Sequence, residues 1–357
     1  DLPQGPETGR MTYRRFRGAA AAWLLLLGYA SLYPFFPLRE SSWELVAAAF
    51  ARPRSLATFD SLVNVLAYMP LGLIMTLLFR EAGASRFAAI ARAFAFGALF
   101  SVAMESCQLF IPGRVSSIYD IYTNAAGTLI GALVFVDPVY SVVTRPLGLA
   151  REEMVIAGPW GDAGLVLMLM WLIAQLNPGL PFFGAGNIVG ADSDLRDLSV
   201  FHSASVAMGI AGFGLFVSAL LADGPGTLRV TLVLLSAALW LKFMMASLML
   251  QPHLAEEWLS VGRIAGLVVG IAILVPARRF SRPTRVYLAL VLVLAGALVS
   301  KIAGAYSPLD EFLRVFRWPY GQLANFATMT RFVHEIWPFA AVIFLIGLFF
   351  RARRGVQ

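Results

Sequence analysis

The sequence predicts an all-α fold, a polytopic bundle of about ten transmembrane helices with both termini in the cytoplasm, and three observations predict it. Of 357 residues, 59% are hydrophobic and only 14% are charged, against roughly 25% charged in an ordinary soluble domain. Charge-free runs recur at 18–38, 61–79, 121–136, 163–191 and 203–222, each near or above the roughly 20 residues that a helix needs to cross hydrocarbon. With the N-terminus inside, the inner connections and tails collect seventeen arginines and the outer connections eight, the asymmetry expected where positive charge stays inside. An outer-membrane barrel would show segments of about ten residues with alternating polarity, whereas these runs are unbroken. The single Cys107 excludes an intramolecular disulfide.

The expected spans are 18–37, 60–79, 87–110, 118–136, 162–180, 202–222, 228–250, 259–276, 285–305 and 334–350. Residues 1–10 are polar, rich in Pro and Gly, and precede Met11, so they read as a tail outside the fold. Arg14, Arg15 and Arg17 then flank a first run too long for a cleaved signal, without a small-residue cleavage site, which reads as a retained helix. Pro70 interrupts the second span and is expected to kink it. Gly127-x3-Gly131 in the fourth and Gly266-x3-Gly270 in the eighth are small-residue pairs that let helices approach closely. Lys242 and Lys301 interrupt the seventh and ninth spans. The stretch 137–161 carries Pro138, Pro146 and Pro159 and reads as a cytoplasmic connection between a four-helix front domain, 18–136, and a six-helix rear domain, 162–357. The long connections 39–59 and 307–332 read as amphipathic surface helices or as plain links.

Three front spans carry groups that lipid rejects. Asp60 and Asn64 open the second, Glu105 and Gln108 close the third, Arg114 follows, and Asp120 and Asn124 open the fourth. A charge at the centre of a membrane helix costs roughly 2.5 to 3.5 kcal/mol on insertion scales, which makes such residues functional candidates. In the expected topology all of them fall at the outer-leaflet level, and the i,i+4 spacing of Asp60 with Asn64 and of Asp120 with Asn124 puts each pair on one helix face. Two structural readings compete. Asp60 and Asp120 suit helix N-caps, and Asn and Gln join membrane helices through hydrogen bonds worth about 0.6 to 2 kcal/mol. Neither accounts for Glu105, deep in an apolar helix, which needs a partner such as Arg114 or a proton.

Asp60-x3-Asn64 followed by Pro70-Leu71-Gly72, then Glu105-x2-Gln108, Arg114 and Asp120-x3-Asn124-x2-Gly127-x3-Gly131, resembles the VanZ-like family of bacterial membrane proteins over residues 18–136. The resemblance implies the bacterial inner membrane, a role at the cell envelope connected with teicoplanin resistance or envelope polysaccharide, and no particular reaction.

In the rear domain, Lys242, Arg263 and Lys301 fall on the outer side of three spans. Arg263 and Lys301 can each snorkel to the interface, Lys242 lies deeper, and together the three would form a clamp for a phosphate. The histidines His202, His253 and His334 are expected in external, solvated segments. Asp60, Glu105 and Asp120 have the oxygen chemistry for Mg2+ or Ca2+, but no motif indicates a metal or another cofactor. The net charge of +7 is accounted for by inner loops against anionic lipid and gives no case for nucleic acid.

Three functions remain open. One is a binding protein whose polar pocket holds a lipid-linked glycan, a polyprenyl phosphate or a lipoglycopeptide through Asn64, Gln108, Arg114, Asn124, Lys242, Arg263 and Lys301. The second is an enzyme on such a substrate, with Glu105, Asp120 and Asp60 supplying acid-base groups. The third is a non-catalytic assembly factor. The first is preferred, because no nucleophile and base can be paired.

Overall fold

The computed structural model of the chain describes residues 6–33, 35–40, 42–44, 46–47, 58–112, 114, 116–133, 145–180, 195–222, 227–251, 261–303 and 324–353. Among them are eleven helices and no strand. We number the helices α1 (Pro6–Leu32), α2 (Thr58–Glu81), α3 (Arg86–Gln108), α4 (Ile118–Leu133), α5 (Arg145–Met154), α6 (Pro159–Gln175), α7 (Leu195–Leu220), α8 (Thr227–Met249), α9 (Val261–Ala277), α10 (Arg282–Ala303) and α11 (Ala324–Arg353). Each expected span overlaps one helix, although 162–180 runs past the end of α6 and 18–37 past the end of α1. Six contain a stretch long and apolar enough to cross a membrane: Ser61–Glu81, Arg86–Gln108, Ser203–Leu220, Thr227–Met249, Arg282–Val299 and Phe326–Ala352. The chain is a multi-pass membrane protein, and its outward-facing Phe87, Leu99, Val233, Val268 and Ile343 are exposed.

Several boundaries differ from expectation for local reasons. Helix α1 takes in part of the tail set outside the fold: Pro6 stands at its first position, where a missing N–H costs nothing, and no further proline occurs before Pro34. The connection 137–161 contains α5, whose Pro146 stands near its start. After α5 the backbone pairs with the end of α7, Ile156 N donating to Leu220 O and Ala222 N to Met154 O. Helix α11 begins at Ala324, well ahead of 334, and carries His334 into the interior at 8% exposure rather than into an external segment. Of the two long connections, 48–57 and 304–323 lie outside the described residues.

The chain divides into two compact units, 1–147 with 321–329 and 148–320 with 330–357. In the first, α2 and α4 meet backbone to backbone. A methyl at Gly127 would overlap the Val65 carbonyl, at Gly131 the Met69 carbonyl and at Gly72 the Thr128 carbonyl, so these glycines are what permits the approach. Leu27, Tyr68, Leu71, Met75, Ile90 and Ala132 form the apolar core around that contact. In the second unit α7 is the most deeply buried membrane segment. Gly270 of α9 approaches it at Ala207 and Ile210, and Phe213 stacks on Trp171 with ring centroids 3.5 Å apart.

Candidate functional site: a polar cluster on three helices

The first unit gathers three i,i+4 pairs on three helices: Asn64 and Tyr68 on α2, Ser101 and Glu105 on α3, Asp120 and Asn124 on α4. Spacing of four residues stacks each pair on one helix face. Asn64 Nδ2 donates to Asp120 Oδ1 at 3.0 Å, and Asn124 Nδ2 lies 2.9 Å from Ser101 Oγ. Tyr68 lies beside Ser101, within electrostatic range of Glu105 and Asp120. Between these groups is a cleft of about 20 Å³, with Ser31, Asn64, Tyr68, Glu105 and Asn124 among its lining residues, room for one water or one hydroxyl group. Two buried groups on its wall, the second side of the Asn124 amide and the Tyr68 hydroxyl, have no hydrogen-bond partner among the described residues. Buried polar atoms are rarely left so.

Glu105 is 2% exposed, and its Oε2 accepts the Ser117 N–H at 2.8 Å. Ser117 stands just ahead of α4, and its carbonyl accepts from Asp120 N and Ile121 N. The carboxylate thus caps the next helix, a correction to the expectation that capping does not account for Glu105. The positive end of a helix favours an anion there. Arg114, in the turn between α3 and α4, adds a second favourable charge. Burial draws its guanidinium down to about 10 while Glu105 opposes that shift, so it stays charged at neutral pH.

Arg114 is at the same time committed to α1. Its Nε donates to Tyr33 O at 2.9 Å, and its Nη2 donates to Ala30 O and Tyr33 O at 2.7 Å. Gln108 Nε2 donates to Ser31 O at 3.0 Å, and Arg39 Nε reaches Leu109 O at the end of α3 at 2.7 Å. The last carbonyls of a helix have no partner within it, and cations satisfy both their hydrogen bonding and their dipole. Gln108 and Arg114, expected on the ligand, are therefore engaged with the end of α1.

Residues 12–141 match the family model described as VanZ/LLP1. This segment is a VanZ-like domain. No curated protein and no solved structure matches the chain. The VanZ-like domain holds every member of the cluster, Tyr68 and Ser101 included, which sequence reading passed over. Their signal was present in the spacing Asn64-x3-Tyr68 and Ser101-x3-Glu105. Asp60 lies in the first turn of α2, and its side chain is outside the described residues.

The cationic trio lies beyond the VanZ-like domain, in the second unit. Lys242 is fully buried, its Nζ donating to Gln175 Oε1 and to Asn177 O, just past the end of α6, each at 3.2 Å. Asn177 in turn donates to Thr330 Oγ1 at 2.8 Å. Arg263 is within electrostatic range of Lys242, and the Lys301 side chain is outside the described residues. A cavity of about 40 Å³ lies in this unit, with Gln175, His334, Trp171 and Trp337 in its wall. His202 is in α7 with its side chain outside the described residues, as is all of His253. Among the described residues no three His, Cys, Asp or Glu side chains are grouped so as to hold a metal.

Proposed function

We propose that the VanZ-like domain of this envelope-associated membrane protein binds the hydroxyl- or amine-bearing part of a lipid-linked glycan or lipoglycopeptide, in the cleft lined by Asn64, Tyr68, Glu105 and Asn124. The observation that carries this reading is the pair of unsatisfied polar groups on Asn124 and Tyr68, facing a cleft inside an apolar bundle. Polar atoms retained without a partner in such surroundings are expensive, and a ligand group or a water would satisfy them.

The chemistry of the wall selects the ligand. Glu105, the nearby Asp120 and the Asn64 and Asn124 amides offer acceptors and negative charge, which favours donors such as sugar hydroxyls or an ammonium. A phosphate would meet like charge, so the polyprenyl phosphate alone is the weaker candidate for this cleft. Room for about one hydroxyl means that recognition is of a projecting group, with the remainder of the ligand outside. The inside-positive arginine distribution directs the starts of α2 and α4, and with them the cleft, to the outer leaflet of the inner membrane. The phosphate clamp suggested by Lys242, Arg263 and Lys301 is a separate element in the other unit, and the reading does not draw on it.

The test is native mass spectrometry of the full chain in detergent with a polyprenyl-diphosphate-linked disaccharide, teicoplanin, and polyprenyl phosphate without sugar. Retention of a sugar-bearing ligand, weakened about tenfold in Asn124→Leu, is expected, a loss of about 1.4 kcal/mol. Preference for the sugar-free phosphate, or equal retention by the variant, would contradict the proposal.

A further inference from the structure

We infer that the second unit carries, on the face of α8, a binding site for an anionic phospholipid. A groove of about 740 Å³ runs along this helix, with Arg229 and Arg278 at one end, Leu232, Val233 and Ala237 along its length, and Trp240 at the far end. From Arg229 to Trp240 the helix rises about 17 Å at 1.5 Å per residue, close to the depth of one leaflet in a hydrocarbon core of about 30 Å. Val233 and Trp240 are exposed at 59% and 64%. The groove is cationic at one end and apolar for a leaflet's depth beyond it, the division found in a phospholipid.

The arginines at this end of the unit divide into two kinds. Arg282 Nη2 donates to Leu221 O at 2.5 Å, and Arg285 Nη1 donates to Ser218 O and Ser218 Oγ at 2.8 Å. These two close the end of α7, as Arg114 closes α1. Arg229 and Arg278 form neither an ion pair nor a side-chain hydrogen bond among the described residues, whereas Arg282 and Arg285, whose Nε atoms are buried without an acceptor like that of Arg278, are held through their other nitrogens. Of the acids among the described residues at this end, Asp162 is engaged by Arg151 at 2.5 Å, and Glu152 and Glu153 are exposed on α5 without an ion pair. Helix-end carbonyls and Asp162 thus occupy their own cations and leave the two groove arginines for an outside anion. Guanidinium forks match phosphate oxygens, and net negative charge on the lipid separates this occupant from a zwitterionic one, whose ammonium the second arginine repels.

Trp240 reports on the groove directly. The full chain is reconstituted in phosphatidylcholine vesicles containing a small fraction of either brominated phosphatidylglycerol or brominated phosphatidylcholine, and the Trp240 signal is taken as the difference between wild type and Trp240→Phe. Quenching by the anionic lipid is expected to exceed that by the zwitterionic lipid by at least about threefold. Arg229→Gln with Arg278→Gln should remove the excess and leave zwitterionic quenching unchanged. Arg229→Gln alone, at an exposed position, should remove part of it and serves where the double variant does not fold. Equal quenching by the two lipids in wild type marks unselective boundary lipid and overturns the proposal. So does protection of Trp240 from both lipids, the mark of a second copy of the chain on this face, and so does selectivity that survives loss of the arginines.

Discussion

In the VanZ-like domain helices meet backbone to backbone at Gly72, Gly127 and Gly131, and in the second unit α9 meets α7 in the same way at Gly266, against the Ser203 carbonyl, but there a group of rings adds to the contact, Phe213 stacking on Trp171 and Phe216 packing on Phe213, Trp337 and Phe344. Both units place buried cations at the ends of neighbouring helices, Arg114 at α1 and Lys242 and Arg285 at α6 and α7. The difference lies in what remains afterwards. Around Lys242 the ammonium, Gln175 and Asn177 bond to one another and to Thr330, while around Glu105 the Tyr68 hydroxyl and one side of the Asn124 amide stay open to a cleft. A charge inside a membrane bundle is thus no sign of a site by itself. The sign is polar capacity that helix ends do not consume.

Arg114→Leu is expected to have the largest effect on the comparison, since it strips charged hydrogen bonds from Ala30 and Tyr33, each worth about 1.5 to 3 kcal/mol. The melting temperature in detergent should fall steeply, and Arg114→Lys should not restore it, because one ammonium cannot replace a planar fork. A mild effect would mean that α1 is held by its apolar face alone. Next comes Gly131→Ala, with an overpacking cost of about 1 to 3 kcal/mol against a backbone carbonyl that cannot yield. Gly214→Ala in the second unit meets the Leu274 side chain, which can move, and should cost less; the reverse order in thermal melts would mean that a side-chain obstacle yields no more readily than a backbone carbonyl. Lys242→Met ranks third, with a loss of about 1 to 3 kcal/mol, because the buried Gln175 and Asn177 oxygens are left without their donor. A loss matching that of Arg114→Leu would show the ammonium to be as deeply committed to its helix end as the guanidinium.

Much of this was legible in the sequence. Ten of the eleven helices among the described residues overlap expected spans, five of them marked by charge-free runs, and i,i+4 spacing with alternating span direction brought Asn64 within reach of Asp120. The capping role of Glu105 was hidden, because it depends on the turn at 109–117 bringing the start of α4 back to the side of α3, a tertiary fact with no local pattern. Arg39, Arg114 and Arg285 were hidden in the same way: an arginine that closes a distant helix looks like any loop or flanking arginine. Tyr68 and Ser101 are ordinary residues on apolar helices until their spacing to Asn64 and Glu105 is considered. His334 was displaced by the early start of α11, which no apolar run announced.

Glu105→Gln tests the central claim most directly. The carboxamide oxygen can still accept the Ser117 N–H, so the cap on α4 survives while the negative charge on the cleft wall is removed. Thermal stability within about 1 kcal/mol of wild type, together with at least about tenfold weaker retention of the sugar-bearing ligand in native mass spectrometry, is the predicted result. Unchanged stability with unchanged ligand retention would leave Glu105 as a helix cap alone and contradict the binding-site account.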